Sequence, residues 1–409
     1  MRLLPFDYAI RNLGRSPRRL ALVTGGSTLV SLLVLGSVAF ARGLERSLAA
    51  TGLETNALLI GSGSEESVER SELPASTADV LAASVDGLAV VAGITAVSPE
   101  IHVALPAVLA PRAGAAAATD AAPALFRGIE PQAFLVHPQV RLVAGRWPAP
   151  GADEIAASPG AIARLGGDAS RGAATVTGTR TGTGTDAGVG IGTQVEVAGT
   201  PFAVSGLFEA PGTAMHAEFW MRLDRLAQLT QRTTRSCVVA ALGDAELDDI
   251  DAFTASRLDL ESIAMRESDY YARLGEFFAP IRLLVFVTAV LISTGGALGG
   301  VNAMYAAFSS RVREVGTLQA LGFSRAAIAV SLVIESTVAC VAGSLLACLL
   351  ALAALDGIAI DFSMGSFGLA VDSTAIASAI AAGALLGVLG AVPAIARCLV
   401  LPIPAALRG

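Results

Sequence analysis

Hydrophobic positions along the chain gather into four long runs, at 20–40, about 283–308, about 326–355 and about 374–396. Each is long enough to cross a hydrocarbon core of about 30 Å, which takes roughly 20 helical residues. The pattern predicts transmembrane helices over 20–41, 281–308, 326–355 and 374–396. The first run is too long for a signal peptide, lacks a small-residue cleavage site, and reads as a retained anchor.

The 42–280 stretch changes period. "ALLIG" (57–61), "HVALPAVLA" (102–110), "SCVVAAL" (236–242) and "IAMRES" (263–268) read as strands. Val195 and Val197, then Phe202 and Val204, alternate around Gly199-Thr200 as a hairpin would. "DAELDDIDAFTASRL" (244–258) reads as a helix, with Asp244 as N-cap and Leu247, Ile250, Phe253 and Leu258 on one side. The strand–helix–strand order predicts a small α+β unit, with about 100–225 inserted as a more β-rich subdomain. "DYYARLGEFFAPIRLLVF" (269–286) is expected to run helically into the second span with Pro280 as its only break. Its Tyr270, Tyr271, Phe277 and Phe278 also suit an interfacial aromatic belt. The acidic, Ser-rich 61–76 and the Gly/Thr tract 177–193 read as flexible loops.

Two shorter segments flank the spans. Residues 6–20 form a basic amphipathic lead-in with Phe6, Ile10 and Leu13 at helical spacing and Pro17 at the turn into the first run. In 311–325 the apolar Val312, Val315, Leu318 and Leu321 form a stripe among Arg311, Arg313 and Glu314. This predicts a short amphipathic helix, closed by Gly322 and followed by Ser324 as N-cap of the third span.

Charge orients the chain. Arg2, Arg11, Arg15, Arg18 and Arg19 precede the first span, Arg311, Arg313 and Arg325 separate the second from the third, and Arg397 and Arg408 follow the fourth. The loop at 356–373 has no arginine and carries Asp356, Asp361 and Asp372. The positive-inside rule puts 1–19, 309–325 and 397–409 in the cytosol and 42–280 and 356–373 outside, as in a bacterial inner-membrane protein. The net charge of −7 splits accordingly: 42–280 holds 17 Arg against 29 acidic residues. An acidic exterior and a basic interior suit anionic lipid and give no support to nucleic-acid binding.

The composition narrows the chemistry. Hydrophobic residues make up 53% of the chain, which places it in the membrane class. All 28 basic residues are arginine, and a P-loop needs its lysine on the nucleotide phosphates, so any ATPase driving this chain is expected on another polypeptide. Cys237 stands alone in 42–280, leaving no disulfide framework there; Cys340 and Cys348 lie in the third span and Cys398 at the inner end of the fourth. His102, His137 and His216 lack metal-site spacing, and no Gly-x-Ser-x-Gly elbow is present, so an enzymatic outer domain is not expected.

Inside the spans, Gly295/Gly299, Gly296/Gly300 and Gly383/Gly387, together with Gly343 and Ala347, mark where helices approach. Four helices cannot easily enclose a large aqueous path, so two such subunits are expected to pair. Asn302 and Glu335 are the polar residues of note at membrane depth. Glu335 suits either a functional carboxylate or a structural hydrogen bond near the inner face.

"RVREVGTLQALGFSRAAIAVSLVIES" (311–336) resembles the signature of the FtsX-like permease family of ABC transporters, which includes MacB-type and LolC/LolE-type permeases. Arg311, Arg313, Glu314, Val315, Gly316, Leu318, Ala320, Leu321, Gly322 and Glu335 carry the likeness. "AIRNLGRSPRRLALV" (9–23) and "AVPAIARCLVLPIPAALRG" (391–409) resemble the family's two ends. "AGRWPAPGADEIAASPGAIARLG" (144–166) with "FAVSGLFEAPGT" (202–213) resembles the MacB-type periplasmic domain.

The resemblance implies an α-helical membrane protein of four transmembrane helices with a large α+β extracytoplasmic domain between the first two. It implies a permease that binds no cofactor itself and pairs with a second permease subunit, identical or not. ATP and Mg would sit on a partner ABC ATPase that grips a coupling helix at about 314–322. Motion there would drive export or extraction of a lipid, lipoprotein or amphiphile by mechanotransmission, with a periplasmic adaptor or lipoprotein carrier as a further partner. The alternative in the same family is a signal transducer that regulates an extracytoplasmic hydrolase and transports nothing.

Overall fold

The computed structural model describes residues 17–110, 121–166, 190–309, 312–355, 358–362 and 365–400. Residues 1–16, Arg311, Asp356, 401–409 and most of the Gly/Thr tract lie outside the described residues. The chain divides into a helical unit (1–43, 279–358 and 369–409) and a sheet unit (44–278 and 359–368).

Helix α1, Pro17–Thr51, continues well past the first hydrophobic run. Leu44, Leu48 and Thr51 recur at helical spacing and are buried, so the helix keeps an inward face after its hydropathy falls. It ends at Gly52, where a side chain would lie 2.7 Å from the Glu267 carbonyl.

The sheet unit opens with β1 (Asn56–Gly61), buried at every position. Ala57 and Leu59 face a core with Leu81, Ile250 and Phe253. Leu58 and Ile60 face the other side, with Val239, Met265 and Tyr270. Such a near-continuous apolar run is what a strand covered on both faces requires. Along the chain follow α2 (Thr77–Ser84), the hairpin β2–β3 (Val90–Val91, Ile94–Thr95), β4 (Val97–Leu109), β5 (Ala122–Ile129) and α3 (Ala133–Val136). Then come β6 (Arg141–Gly145), β7 (Glu154–Ala157), α4 (Pro159–Arg164), β8 (Gln194–Val197), β9 (Thr200–Glu209), β10 (Glu218–Arg222) and α5 (Leu223–Thr230). The unit closes with β11 (Cys237–Ala241), α6 (Leu247–Ser256), β12 (Ser262–Arg266) and α7 (Glu267–Phe277).

The strands pair in the order β12-β1-β11-β4-β5-β10-β7-β9-β6. β8 bonds to both β4 and β9. The strands β4, β5, β10, β7, β9 and β8 thereby return on themselves as a ring, filled by Phe126, Ile155, Phe202, Phe219 and Met221. β11 and β12 both run antiparallel to β1 between them, so β11-α6-β12 is a split strand–helix–strand crossover. The two halves share β4, whose residues 97–100 pair with β11 and 101–107 with β5.

Several sequence expectations shift in detail. The β8–β9 turn is Ala198-Gly199, both at positive φ (47° and 83°), rather than Gly199-Thr200. Helix α6 is capped by Glu246, whose amide donates to Asp249, not by Asp244. Leu258 falls in a turn after α6 and is 81% exposed. The stretch expected to be a loop at 61–76 is held down: Val68 and Leu73 are buried, the Gly61 amide donates to Ser71 Oγ, and the Val68 amide donates to Tyr270 Oη. The helix break after α7 falls at Phe278, and Pro280 sits in the first turn of the next helix, where its missing amide costs nothing. Within the 356–373 loop, β13 (Ala359–Phe362) and β14 (Gly365–Gly368) form a hairpin, and β14 packs against Ala214–Ala217.

The helical unit contains α8 (Ala279–Ser309), α9 (Val312–Ala320), α10 (Arg325–Ala354) and α11 (Ser373–Val400). Among the described residues four helices are long and apolar enough to cross a membrane: Leu20–Thr51, Ala279–Asn302, Arg325–Ala354 and Ser373–Pro393. Small residues and hydroxyls knit α1, α10 and α11 together. Ser27 Oγ donates to the Cys340 carbonyl at 2.7 Å, Thr28 Oγ1 to Gly343 at 3.0 Å, and Ser336 Oγ to Gly387 at 2.5 Å. Where lipid offers no hydrophobic drive between helices, close packing and such bonds supply the adhesion.

Candidate functional site

Two constellations stand out, one in each unit. In the helical unit, α9 is a nine-residue helix closed by a Schellman turn. The Gly322 amide donates to the Gln319 carbonyl at 3.0 Å and the Phe323 amide to Leu318 at 3.2 Å. Gly322 has φ +89°, the left-handed conformation that this turn demands. Ser324 then caps α10, its Oγ accepting from the Ala327 amide at 3.2 Å.

The α9 stripe is split. Val315 is buried and Leu318 partly buried in a cluster with Leu20 and Val23 of α1 and Ile328 and Leu332 of α10. Gly316 is buried beside them. Arg313, Glu314, Thr317 and Leu321 are exposed, Leu321 at 72%. One edge of α9 is thus fixed to the spanning helices, while the edge carrying Arg313, Glu314, Thr317 and Leu321 is solvent-exposed among the described residues. Arg311 lies outside the described residues.

The other sequence candidates in this unit diverge. Glu335 is buried, at 2% exposure, on α10, and Asn302 is exposed at the end of the second apolar stretch. A side chain at Gly383 or Gly387 would collide with α10, the latter at 2.5 Å from Thr337 Cα. Gly343 is as tight, 2.5 Å from the Thr24 carbonyl. Gly295 and Gly299 meet nothing within 4 Å among the described residues, so they are not contact glycines there. The close approach of α8 is at Gly296, 2.8 Å from Val30.

The sheet unit holds a buried charge network centred on Glu100 of β4. Its Oε1 accepts from Ser98 Oγ at 3.0 Å and His137 Nε2 at 2.8 Å. Its Oε2 accepts from His102 Nε2 at 3.0 Å and Arg127 Nη1 at 2.8 Å. Arg127 of β5 also forks onto Glu218 of β10, Nε to Oε2 at 2.7 Å and Nη2 to Oε1 at 2.8 Å, and its guanidinium lies 5.5 Å from the Trp220 ring centroid. Trp220 Nε1 donates to Glu218 at 2.8 Å. Glu267, the first residue of α7, accepts from the Leu53 amide and Asn56 Nδ2 and lies 4.0 Å from His137 Nδ1.

Burial opposes ionisation of Glu100, but His137 and Arg127 outweigh it and hold the carboxyl well below the usual range. Glu218 is lowered the same way, burial being overcome by Arg127. Burial raises Glu267 and lowers His102, pushes the Cys237 thiol well up, and takes Tyr270 to about 12.

Glu100, His102 and Cys237 place donor atoms within 4.8 Å of one another, as a metal site would. Each Glu100 oxygen already accepts two hydrogen bonds, so no lone pair remains for a cation. The cluster is a hydrogen-bond hub. Sequence reasoning treated the histidines as scattered; His102 and His137 in fact meet on one carboxylate. Strands pair residues distant in the chain, and the only local signal was charge inside apolar runs, as at Glu100 and Arg127.

Residues 286–402 match the family model for the FtsX-like permease C-terminal domain. Two curated relatives, the macrolide export ATP-binding/permease proteins MacB of Shewanella sp. (strain W3-18-1) and of Shewanella oneidensis, are each 34% identical over 117 residues. That match covers 28% of this chain and 18% of each relative, so the chain aligns with less than a fifth of their length. Among solved structures, the periplasmic region of MacB from Actinobacillus actinomycetemcomitans aligns with 57% of this chain and 97% of its own, at 14% identity and a TM-score of 0.38. The extracellular domain of the noncanonic ABC-type transporter YknZ from Gram-positive bacteria aligns with 51% and 99%, at 14% identity and a TM-score of 0.34.

Proposed function

We infer that this chain, an FtsX-like permease of the MacB type, is the membrane subunit of an ABC transporter driven by ATP hydrolysed on a partner polypeptide. The observation that carries this reading is the two-sided α9. Val315 and Leu318 join it to α1 and α10, and Arg313, Glu314, Thr317 and Leu321 form a face for a partner. A short helix closed by a Schellman turn that leads straight into the capped start of α10 passes force on with little internal give. The relatives' name combines ATP-binding and permease parts; these 409 residues contain no lysine for a P-loop, so ATP binding is assigned outside them.

In this reading α9 and both termini face the cytosol, the sheet unit stands outside as an extracytoplasmic domain inserted between the first two spans, and two permease subunits pair. ATP and Mg bind the partner ATPase, whose closure pulls α9 and moves the outer domains. The cargo class is a lipid, lipoprotein or amphiphile taken from the outer leaflet, handed to a periplasmic adaptor or lipoprotein carrier.

The test is reconstitution with the cognate ABC ATPase. The pair should copurify, and ATP should drive release of a labelled amphiphile from proteoliposomes. Copurification without release, but with ATP-dependent activation of an extracytoplasmic hydrolase, would favour the signalling alternative. Cysteines at Thr317 and in the sheet unit labelled from the same side of the membrane would end both.

A further inference from the structure

The charge network in the sheet unit is unused by the transport reading, and its proton count does not balance. Glu100, Glu218 and Glu267 set three buried carboxylates against one guanidinium, Arg127. Arg127 is consumed by Glu218, which it grips at two atoms, and by one oxygen of Glu100. His102 does not make up the difference, since burial and Arg127 both disfavour its charged form. Among the described residues the other groups facing the cluster add no buried cation: Tyr270 and Tyr271 from α7, Cys237 from β11, and Glu69 from the turn at 68–70, whose neighbour Arg70 is exposed. Uncompensated carboxylates in such an interior are costly and draw in protons.

One place is built to take a proton. His137 spends Nε2 on Glu100, and its buried Nδ1 has no hydrogen-bond partner. That atom faces Glu267 Oε1 at 4.0 Å, and the other Glu267 oxygen is already occupied by the Leu53 amide and Asn56 Nδ2. We propose that the His137–Glu267 pair, at 4.0 Å too far apart for a hydrogen bond but close enough to couple electrostatically, holds one proton that locks α7 and the residue stretch 53–56 onto the β4–β5–β10 part of the sheet, so that this joint opens with loss of a proton. The residues locked together come from β4, β5, β10, α3's end, β1 and α7, which meet where β4 changes partner from β11 to β5. Independently of geometry, burial holds the Glu267 carboxyl above its ordinary value, opposed by His137. A group raised in the folded state stabilises it at low pH and ceases to as pH rises through the folded value.

Hydrogen exchange on the full chain in nanodiscs tests this, read on peptides covering 52–57 and 267–274 and corrected for intrinsic exchange between about pH 5 and pH 9. In the wild type the opening equilibrium should increase with pH above the ordinary histidine value of about 6.5, approaching tenfold per unit, as one released proton requires. Glu267→Gln mimics the protonated carboxyl and should abolish that slope while keeping the peptides protected. His137→Gln serves as a second variant and should also flatten it. A wild type with no pH slope overturns the proposal, as does a variant of either residue that folds and keeps the wild-type slope.

Discussion

Phe323 donates its amide to the carbonyl of Leu318, and both side chains join the same apolar cluster beneath α9. Hydrogen bond and hydrophobic contact together close the short helix, with Gly322 between them at φ +89°. Gly322→Ala forces a side chain into the left-handed region at a cost of about 1–2 kcal/mol. The expected outcome is a folded chain whose ability to stimulate its ATPase falls several-fold, measured as ATP turnover of the reconstituted pair.

Opposite edges of α9 should respond differently. Val315→Ala removes a buried side chain and should lower stability by about 1–3 kcal/mol. Glu314→Ala with Leu321→Ala touches the exposed edge and should leave the melting temperature within a degree or two while reducing ATPase stimulation. Thermal melting beside ATP turnover separates the two effects.

Arg127 and Arg146 both bind carboxylates, in opposite settings. Arg127→Met strands Glu100 and Glu218 in the interior and should cost about 3–5 kcal/mol. Arg146→Ala loses a pair to Glu154 whose arginine side chain is 60% exposed and should cost under about 1 kcal/mol. Unfolding of the full chain, followed by fluorescence of Trp147 and Trp220 near these sites, checks both.

Acid should weaken the sheet unit. Glu100 and Glu218 are held below the ordinary value of 4.5, so their contribution is complete above that value and is lost as pH falls through their folded values. Melting temperature measured against pH should drop below about pH 4.5. Glu218→Gln should start from a lower stability and show a shallower acid slope.

The spanning glycines give a packing test. Gly387→Ala places a methyl about 2.5 Å from Thr337 Cα and should destabilise by about 1–3 kcal/mol. Gly295→Ala meets open space and should be neutral or slightly stabilising in a monomer. A loss of pairing by Gly295→Ala, seen by crosslinking, would place α8 at a subunit contact.

How much was legible in the sequence depended on the range of the interaction. Spans, the Gly322 stop and the Ser324 cap could be read because hydropathy, left-handed backbone and capping are local. The length of α1 was missed since Leu44, Leu48 and Thr51 sit among Arg42, Glu45 and Arg46, where average hydropathy hides a helical stripe. The tethering of 61–76 was missed because one of its anchors, Tyr270, lies 202 residues beyond Val68. Glu100, Arg127 and Glu218 could not be united at all, since only the pairing of β4 with β5 and of β5 with β10 brings them together, and His137 and Glu267 join them from the end of α3 and the start of α7.

Sharing β4 between two sheets makes its length a ruler. One residue inserted between Glu100 and Ile101 would leave Ser98 and Glu100 in place but turn Ile101, Val103 and Leu105 out of the ring, because side chains alternate along a strand. Evolution can lengthen this part of the protein at its turns. Across that single peptide bond it can exchange side chains, but it cannot add one.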